Sequence, residues 1–184
     1  MAKLIIGLAG EMGCGKGTVA NYLVEKYNGS SHSFSTALKD ILDRLYLDRS
    51  RDNLNGLSKA LRGAFGEDVF AKSMSADAEN DPHDVVVVEN ARRLDDIYYL
   101  RLLPHFKFVY IDAGMENRYK RMVERNQYVG DDMKTFEEFK REHELNTEAS
   151  IPPLKEHANY VITNNGSLED LYSQIDGIIK QNIG

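Results

Sequence analysis

Short, almost unbroken apolar runs alternate along the chain with longer stretches in which apolar residues recur every three or four positions. The short runs lie at 4–9, 85–88, 106–111 and 160–162, and a weaker one lies at 31–34. Runs of this kind are typical of strands that are buried on both faces of a parallel sheet. The longer stretches predict amphipathic helices. The alternation therefore predicts an α/β fold whose strands are joined by right-handed helical crossovers.

Two pairs of residues mark helix starts. Ser167 is followed three positions later by Asp170, and Thr135 is followed in the same way by Glu138. This is the spacing of a capping box, in which two side chains bond the free N–H groups at the start of a helix. We therefore expect helices to begin after Thr135 and after Ser167.

The length of 184 residues suits a single domain, 1–184, with one core. Two segments, 35–81 and 126–150, are longer than simple connections between strands require. We expect both to be insertions at one end of the sheet rather than separate domains.

The first predicted strand runs into a glycine-rich turn that opens the first predicted helix. Glycines let successive N–H groups point at phosphate oxygens, and the helix start adds partial positive charge. Lys16 is placed to bridge the outer phosphates. The turn thus predicts a site for a nucleoside triphosphate, with ATP as co-substrate; the alternative is a structural turn that binds nothing. The residues expected to contact ATP are Gly10, Gly13, Cys14, Gly15, Lys16, Gly17 and Thr18.

Position 17 departs from the common phosphate loop, in which Ser or Thr after the lysine ligates Mg²⁺. The order Gly-Lys-Gly-Thr resembles adenylate kinases. That resemblance implies a Mg²⁺ ion held largely through water and phosphates, with Thr18 or Glu89 as candidate protein contacts. Cys14 has two interpretations, a thiolate favoured by the helix start and a small residue that fills the loop. We prefer the second.

Polar residues follow the predicted strand at 85–88, at the end where open α/β sheets bind ligands. They are Glu89, Asn90, Ala91, Arg92 and Arg93. The segment resembles the Asp-Gly-x-Arg or Asp-Val-Arg signature of kinases that phosphorylate nucleoside monophosphates and dephospho-coenzyme A. Glu89 or Asn90 replaces the aspartate, depending on the alignment. The resemblance implies an acceptor site with Glu89 and Arg92, and a catalytic role for Arg92.

Two stretches, 34–39 and 57–70, resemble the acceptor-binding region of phage-type deoxynucleoside monophosphate kinases. In that family the arginine at the position of Arg62 holds the acceptor phosphate. The resemblance implies acceptor contacts from Ser35, Lys39 and Arg62, so that 35–81 becomes the acceptor-binding insertion. The alternative for Arg62 is a surface arginine on an amphipathic helix.

Arg118, Arg121 and Arg125 share one face of a predicted helix. A solvated basic face is the usual cause of such a stripe, but this helix leads directly into 126–150, which we interpret as a short lid. We therefore expect Arg121 and Arg125 to act in catalysis by neutralising the transferred phosphoryl group. Arg141 is a further candidate, and Arg118 is interpreted as structural.

The last third of the chain resembles an adenylate kinase-related family that shares features with dephospho-coenzyme A kinase. The family implies a three-layer P-loop NTPase fold with a mostly parallel five-stranded sheet. It also implies an adenine pocket after the last strand, with contacts from Asn164 and Gly166. Together with the glycine-rich turn and 89–92, the resemblance covers most of the chain. The matching residues are Arg118, Arg121, Arg125, Asp131, Asp132, Phe136, Phe139, Glu144, Leu145 and 157–168.

The composition of the chain limits the classes of partner that it is expected to bind. The net charge of −6 argues against a surface that wraps a nucleic acid polymer. No apolar run reaches the roughly 18–20 residues that span a bilayer. With one cysteine and no secretory signal pattern, we expect a cytoplasmic protein that binds small-molecule nucleotides. The oligomeric state stays open.

These features predict an ATP-dependent phosphotransferase of the nucleoside monophosphate kinase type, which moves the γ-phosphate of ATP to a nucleotide-like acceptor. Two alternatives remain. A dephospho-coenzyme A kinase-like enzyme would use a ribose hydroxyl as acceptor. A non-kinase switch would bind ATP and hydrolyse it slowly.

Overall fold

A parallel sheet forms the centre of the molecule. The computed structural model describes residues 2–125, 133–143 and 149–183, apart from the side chains of Arg51 and Glu142. Within these residues, five strands lie in the order β2-β3-β1-β4-β5, and every neighbouring pair is parallel. The strands are β1 (Leu4–Ala9), β2 (Ser30–Ser33), β3 (Val85–Glu89), β4 (Phe106–Asp112) and β5 (Tyr160–Thr163).

Helices connect the strands, and both predicted capping boxes are confirmed. Thr135 N donates to Glu138 Oε2 at 2.8 Å, and Ser167 N donates to Asp170 Oδ2 at 3.1 Å. Among the described helices, none combines the length and the apolar character needed to cross a membrane. The helices are α1 (Lys16–Tyr27), α2 (Thr36–Arg44), α3 (Arg51–Phe65), α4 (Val69–Asn80), α5 (Leu94–Ile97), α6 (Met115–Arg125), α7 (Phe136–His143) and α8 (Leu168–Ile183), with 3-10 helices at Leu100–Leu102 and Pro152–His157.

The sheet separates two apolar clusters because successive side chains of a strand point to opposite faces. On one face, Ile6 and Leu8 pack with residues of α1 and α8. On the other face, Ile5 and Ala9 pack with residues of α4 and of the 3-10 helix Leu100–Leu102. The result is a three-layer α/β fold, which confirms the predicted fold class.

The edge strand β2 explains why its sequence signal is weak. Its residues Ser30, Ser31, His32 and Ser33 are polar, and it pairs only with β3 within the described chain. It begins one residue before the predicted run 31–34. In the predicted insertion 35–81 that follows, Met74 and Ala78 of α4 pack in the cluster on one face of the sheet, and Leu38 and Leu42 of α2 are also buried.

The described part of the predicted lid, α7, is packed against α6. The Phe139 side chain is fully buried, and its ring centroid lies 5.7 Å from that of Tyr119. The Tyr119 hydroxyl also donates to the carbonyl oxygen of Lys134 at 2.8 Å. The rest of the predicted lid, 126–132 and 144–148 with Asp131 and Asp132, lies outside the described residues.

A buried carboxylate joins the amino-terminal ends of β2 and β3. Asp81 is 8% exposed and accepts hydrogen bonds from the Ser30 hydroxyl at 2.7 Å and the His83 N–H at 2.9 Å. Its oxygens also lie 2.6 Å from His32 Nε2 and 2.7 Å from His83 Nδ1. Burial by itself would raise the pKa of Asp81, but these hydrogen bonds together hold it well below its usual range.

We predict that Asp81→Ala lowers the free energy of unfolding by about 2–4 kcal/mol at neutral pH, because it leaves buried donors without an acceptor. A carboxyl with a lowered folded-state pKa stabilises above its unfolded pKa, here about 4, and this contribution is lost as the pH falls further. The difference between wild type and variant should therefore shrink below about pH 4. Urea unfolding across a pH series measures it.

Asp84→Ala is the matched control. Asp84 is 56% exposed at the side chain and pairs with Lys3 on the surface, so its loss should cost less than about 1 kcal/mol. Equal losses for the two variants at neutral pH would contradict the role given to Asp81.

Candidate functional site

The glycine-rich turn is held tightly between α6 and the end of β5. Gly13 has a φ of 77°, and a Cβ there would lie 2.5 Å from the carbonyl oxygen of Arg118. Gly15 has a φ of 108°, and a Cβ there would lie 2.4 Å from Asn164 Nδ2. Both the backbone conformation and the neighbours therefore require glycine at these two positions.

The first turn of α1 is left open for an anion. Among the described residues, no side chain caps the amino terminus at Gly15, and no acidic residue lies in the first turn. The free N–H groups and the positive end of the helix dipole thus face the loop. This arrangement is the physical basis of phosphate binding at helix starts.

Lys16 places its charge inside the curve of the loop. Its Nζ donates to the carbonyl oxygens of Gly10 at 2.6 Å and Glu11 at 3.2 Å. These neutral acceptors are weaker partners than a charged phosphate oxygen. The ammonium group is therefore positioned where an incoming phosphate can take over its hydrogen bonds.

Arg118 fastens the loop to the helices that follow β4, and its predicted structural role is confirmed. The residue is 3% exposed. Its Nε donates to Ala113 O at 3.1 Å, Nη1 to Met12 O at 3.3 Å, and Nη2 to Glu11 Oε1 at 3.1 Å. Its guanidinium therefore holds two consecutive loop residues.

The same guanidinium reaches α7. Arg118 Nη1 lies 2.7 Å from His143 Nε2, and His143 Nδ1 lies 2.7 Å from Phe139 O. Because a guanidinium has only donors, Nε2 must accept and Nδ1 must carry the proton. His143 therefore ties the end of α7 to the loop.

Cys14 and Asn164 support the loop from beneath rather than facing the ligand. The Cys14 side chain is 1% exposed in the core, and burial raises the pKa of its thiol although Lys16 opposes the shift. Asn164, which is 4% exposed, donates from Nδ2 to Cys14 O at 2.8 Å. The structure thus favours the interpretation of Cys14 as a filling residue, not as a reactive thiolate.

The loop opens into a cavity of about 1700 Å³, which we call the main cavity. Single ligand pockets measure about 300–1,000 Å³, so there is room for two substrates. The structure brings most of the predicted site residues into its wall. They are Gly10, Gly13, Gly15, Lys16, Gly17, Thr18, Ser35, Arg62, Glu89, Arg92, Arg121 and Arg125.

Arg121 and Arg125 enter this wall from α6 in different states. Arg121 Nη2 donates to Asn164 O at 2.8 Å and Asn164 Oδ1 at 3.1 Å. Its Nη1 is buried and, among the described residues, has no hydrogen-bond partner. Arg125 is exposed. Arg121 therefore carries a structural contact and one unused donor, whereas Arg125 lies at the open side.

A second part of the cavity wall is formed by residues from β3 and the predicted acceptor insertion. Glu89 accepts a hydrogen bond from the Ser31 hydroxyl at 2.7 Å, and Asn90 takes a φ of 66° as the strand ends. Arg62 lies over the Phe70 ring, with 5.0 Å between its Cζ and the ring centroid, and its Nη1 donates to Glu67 O. A phosphate at Arg62 would therefore meet a guanidinium already oriented by its neighbours.

Several predicted contacts are not in the wall. Lys39 is displaced because Leu38 takes the cavity side of α2, and successive residues differ by about 100° around a helix. Asn164 does not line the cavity, because its side chain donates to the loop carbonyl of Cys14. Gly166 does not line it either, and lies beside Asp170. Arg141 is exposed outside the wall as well. The acceptor role of Lys39 and the adenine contacts of Asn164 and Gly166 therefore stay predictions that the lining of this cavity does not support.

Two tyrosines that the sequence analysis did not consider do line the main cavity: Tyr22 on α1 and Tyr172 on α8. A signal existed for the first, because Tyr22 lies four positions after Thr18 and so on the same helix face. Tyr172 and His143 carried no comparable signal, because each acquires its role through a tertiary contact. Among the described residues, no group of three or more His, Cys, Asp or Glu could hold a metal ion.

A glycine-rich loop between the central strand and its helix, in a parallel sheet of this order, defines a P-loop kinase-like protein. Residues 6–144 match the AAA domain family AAA_18, and the chain belongs to that family. A UPF0200 protein of Hyperthermus butylicus is 24% identical over 182 residues, which cover 99% of this chain and 96% of that protein. A UPF0200 protein of Methanocaldococcus jannaschii is 26% identical over 180 residues, covering 97% and 90%.

A solved structure supports the fold. Shikimate kinase from Bacteroides thetaiotaomicron superposes with a TM-score of 0.61 at 16% identity, over 97% of each chain. At that identity the likeness concerns the fold alone.

The loop geometry predicts that alanine substitution affects stability differently at two of the glycines. Gly13→Ala should lower the free energy of unfolding by about 1–3 kcal/mol, because its Cβ would meet the Arg118 carbonyl oxygen at an unfavourable φ. Gly17→Ala is the control: a Cβ there meets nothing within 4 Å, so stability should change by less than about 1 kcal/mol. Denaturant unfolding of both variants checks this, and equal destabilisation would contradict the loop geometry.

Proposed function

We propose that the chain is an ATP-dependent phosphotransferase of the nucleoside monophosphate kinase type, which moves the γ-phosphate of ATP to a nucleotide-like acceptor. The observation that carries the proposal is the buried Nη1 of Arg121, which has no hydrogen-bond partner among the described residues and belongs to a side chain that lines the same cavity as Lys16 and the start of α1. A buried donor without an acceptor is costly, and a phosphate oxygen would satisfy it.

The donor side of the site would work by positioning and charge neutralisation. The loop and the start of α1 would hold the inner phosphates, and Lys16 would bridge toward the γ-phosphoryl group. Arg121 and Arg125 would neutralise the charge that spreads over that group during transfer. The bond from the γ-phosphorus to the bridging oxygen breaks, ADP leaves, and an acceptor oxygen forms the new bond.

The chain fits a Mg²⁺ ion that is held mainly by water and phosphates. Gly17 offers no side-chain oxygen, whereas Thr18 and Glu89 both line the main cavity and carry oxygen donors of the kind that Mg²⁺ prefers. When bound, the ion would supply neutralisation of the phosphate charge. Glu89 also lies at the end of β3 beside the loop strand, where it would orient water around the ion.

The acceptor would occupy the part of the cavity wall that comes from β3 and the predicted acceptor insertion. Arg62 and Arg92 are cationic side chains in that wall, and Ser35 adds a hydroxyl. Two arginines in the same cavity as the loop suit an acceptor that is itself a phosphate, because guanidinium binds phosphate in a bidentate way. This is the reason for preferring a nucleotide acceptor to the ribose hydroxyl of dephospho-coenzyme A.

The proposal is tested by following labelled γ-phosphate from ATP·Mg²⁺ in the presence of nucleoside monophosphates, deoxynucleoside monophosphates or dephospho-coenzyme A. We expect label on a nucleoside monophosphate. Label on dephospho-coenzyme A would favour the rival kinase. Label only in inorganic phosphate would favour a slow ATPase that acts as a switch and would contradict the proposal.

Arg62→Ala should raise the KM for the phosphorylated acceptor by roughly ten-fold or more, because it removes a charge-assisted contact, and should leave the KM for ATP nearly unchanged. Lys39→Ala is the matched control, since Lys39 lies outside the cavity wall. Initial rates at varied acceptor and varied ATP separate the two constants. Equal changes for both substrates would rule out an acceptor role for Arg62.

Arg125→Ala should lower kcat by roughly 100-fold or more with little change in the dissociation constant of ATP, because its contact would form mainly in the transition state. Arg125→Lys should rescue only part of the rate, since the planar fork is lost. The variant should fold normally because Arg125 is exposed, and Arg49→Ala, 57% exposed and paired with Asp43, is the surface control. An unchanged kcat for Arg125→Ala would show that Arg125 is a solvated surface charge without a role in catalysis.

A further inference from the structure

The main cavity contains a stacked aromatic pair at the side where α1 and α8 meet. The rings of Tyr22 and Tyr172 lie with 3.8 Å between their centroids and 2° between their planes. Both residues are partly buried and line the same cavity as the phosphate loop. The pair therefore offers a flat apolar surface to whatever the cavity holds.

Polar contacts hold this surface in place from outside the cavity. The Tyr22 hydroxyl lies 2.9 Å from both carboxylate oxygens of Asp176 and accepts from Lys26 Nζ at 2.7 Å. Lys26 Nζ also donates to Asp176 Oδ2 at 2.8 Å, and the Tyr27 hydroxyl donates to Asp176 Oδ1 at 2.7 Å. With its hydroxyl fixed, Tyr22 cannot turn away from Tyr172, so the stacking surface exists before any ligand binds.

The position of the pair relates it to the phosphate loop. Tyr22 lies six positions after Lys16 on α1, which corresponds to about 9 Å along the helix. Thr18, Tyr22 and Glu25 are spaced four and three positions apart and share the face of α1 that lines the cavity. A ligand with its phosphates at the helix start would extend along this face toward the pair.

The surroundings of the pair suit an uncharged ring rather than a phosphate. Glu25 lies three positions after Tyr22 and would repel phosphate oxygens at that end. The other aromatic rings of the described wall, Phe34 and Phe70, belong to the acceptor side, and Arg62 already covers Phe70. Asn164, the residue expected to meet the base, has its amide bonded to the loop.

We propose that the nucleobase of the triphosphate stacks on the Tyr22–Tyr172 pair. This inference rests on the proposed function, because it takes the loop as the site of the phosphates. Stacking uses the face of a base, which every base has, and no hydrogen-bond pattern of its edge. The ligand class is therefore a nucleoside triphosphate, with ATP and GTP held about equally well.

The test is a titration of wild type, Tyr172→Ala, Tyr172→Leu and Tyr172→Phe with ATP, GTP and inorganic tripolyphosphate. Tyr172→Ala and Tyr172→Leu should weaken ATP and GTP binding by roughly ten-fold, because base stacking on an aromatic ring is lost, and should leave tripolyphosphate binding unchanged. Tyr172→Phe keeps the ring and should bind all three as wild type does. The leucine variant preserves side-chain bulk, so at least one informative variant should fold.

Each other outcome overturns the inference. An equal loss for tripolyphosphate would make the effect structural, and unchanged ATP binding in both ring-deleted variants would exclude stacking at Tyr172. If wild-type protein bound tripolyphosphate as tightly as ATP, the result would exclude a contact to the base and would still support the phosphate site. Wild-type protein that binds neither would overturn the proposed function together with this inference.

Discussion

The buried guanidinium of Arg118 is the contact on which the site depends. A charged group at 3% exposure is tolerated only when its donors are satisfied, and here the acceptors are Ala113 O, Met12 O, Glu11 Oε1 and His143 Nε2. Because these belong to different segments, the requirement fixes the loop, the start of α6 and the end of α7 relative to one another. Loop shape and the position of α7 thus follow from one electrostatic constraint.

That constraint also distributes the arginines of α6. The guanidinium of Arg118 is bonded within the fold, and one nitrogen of the Arg121 guanidinium is bonded to Asn164. Arg125 is exposed at the cavity. These differences follow the order of the three arginines along α6, which leads away from the buried loop. The net charge of −6 therefore coexists with a locally cationic cavity, since Lys16 and five arginines line it together with four acidic residues. Under the proposed function, this local field matters for phosphate binding and the overall charge does not.

The fold was predictable because its signals are local. The strands β1, β3 and β4 are apolar runs, and Gly13 and Gly15 sit where only glycine is accommodated, so pattern alone identified the sheet and the loop. Side-chain direction was less predictable. Lys39 was predicted as an acceptor contact, but on α2 the neighbouring Leu38, and not Lys39, lines the main cavity. Asn164 looked like a base contact, but the loop carbonyl of Cys14 recruits its amide. Such outcomes depend on tertiary neighbours that a sequence pattern does not contain.

The central claim is that the charge of Lys16, held in the curve of the loop, acts on the phosphates of ATP. The most direct measurement is the rate of γ-phosphoryl transfer by Lys16→Ala beside a directly titrated ATP dissociation constant and a melting curve. The account predicts a rate at least about 100-fold lower than that of wild type, with a melting temperature close to that of wild type, because the described contacts of the side chain are all to loop residues. A folded Lys16→Ala protein that transfers phosphate at nearly the wild-type rate would contradict it.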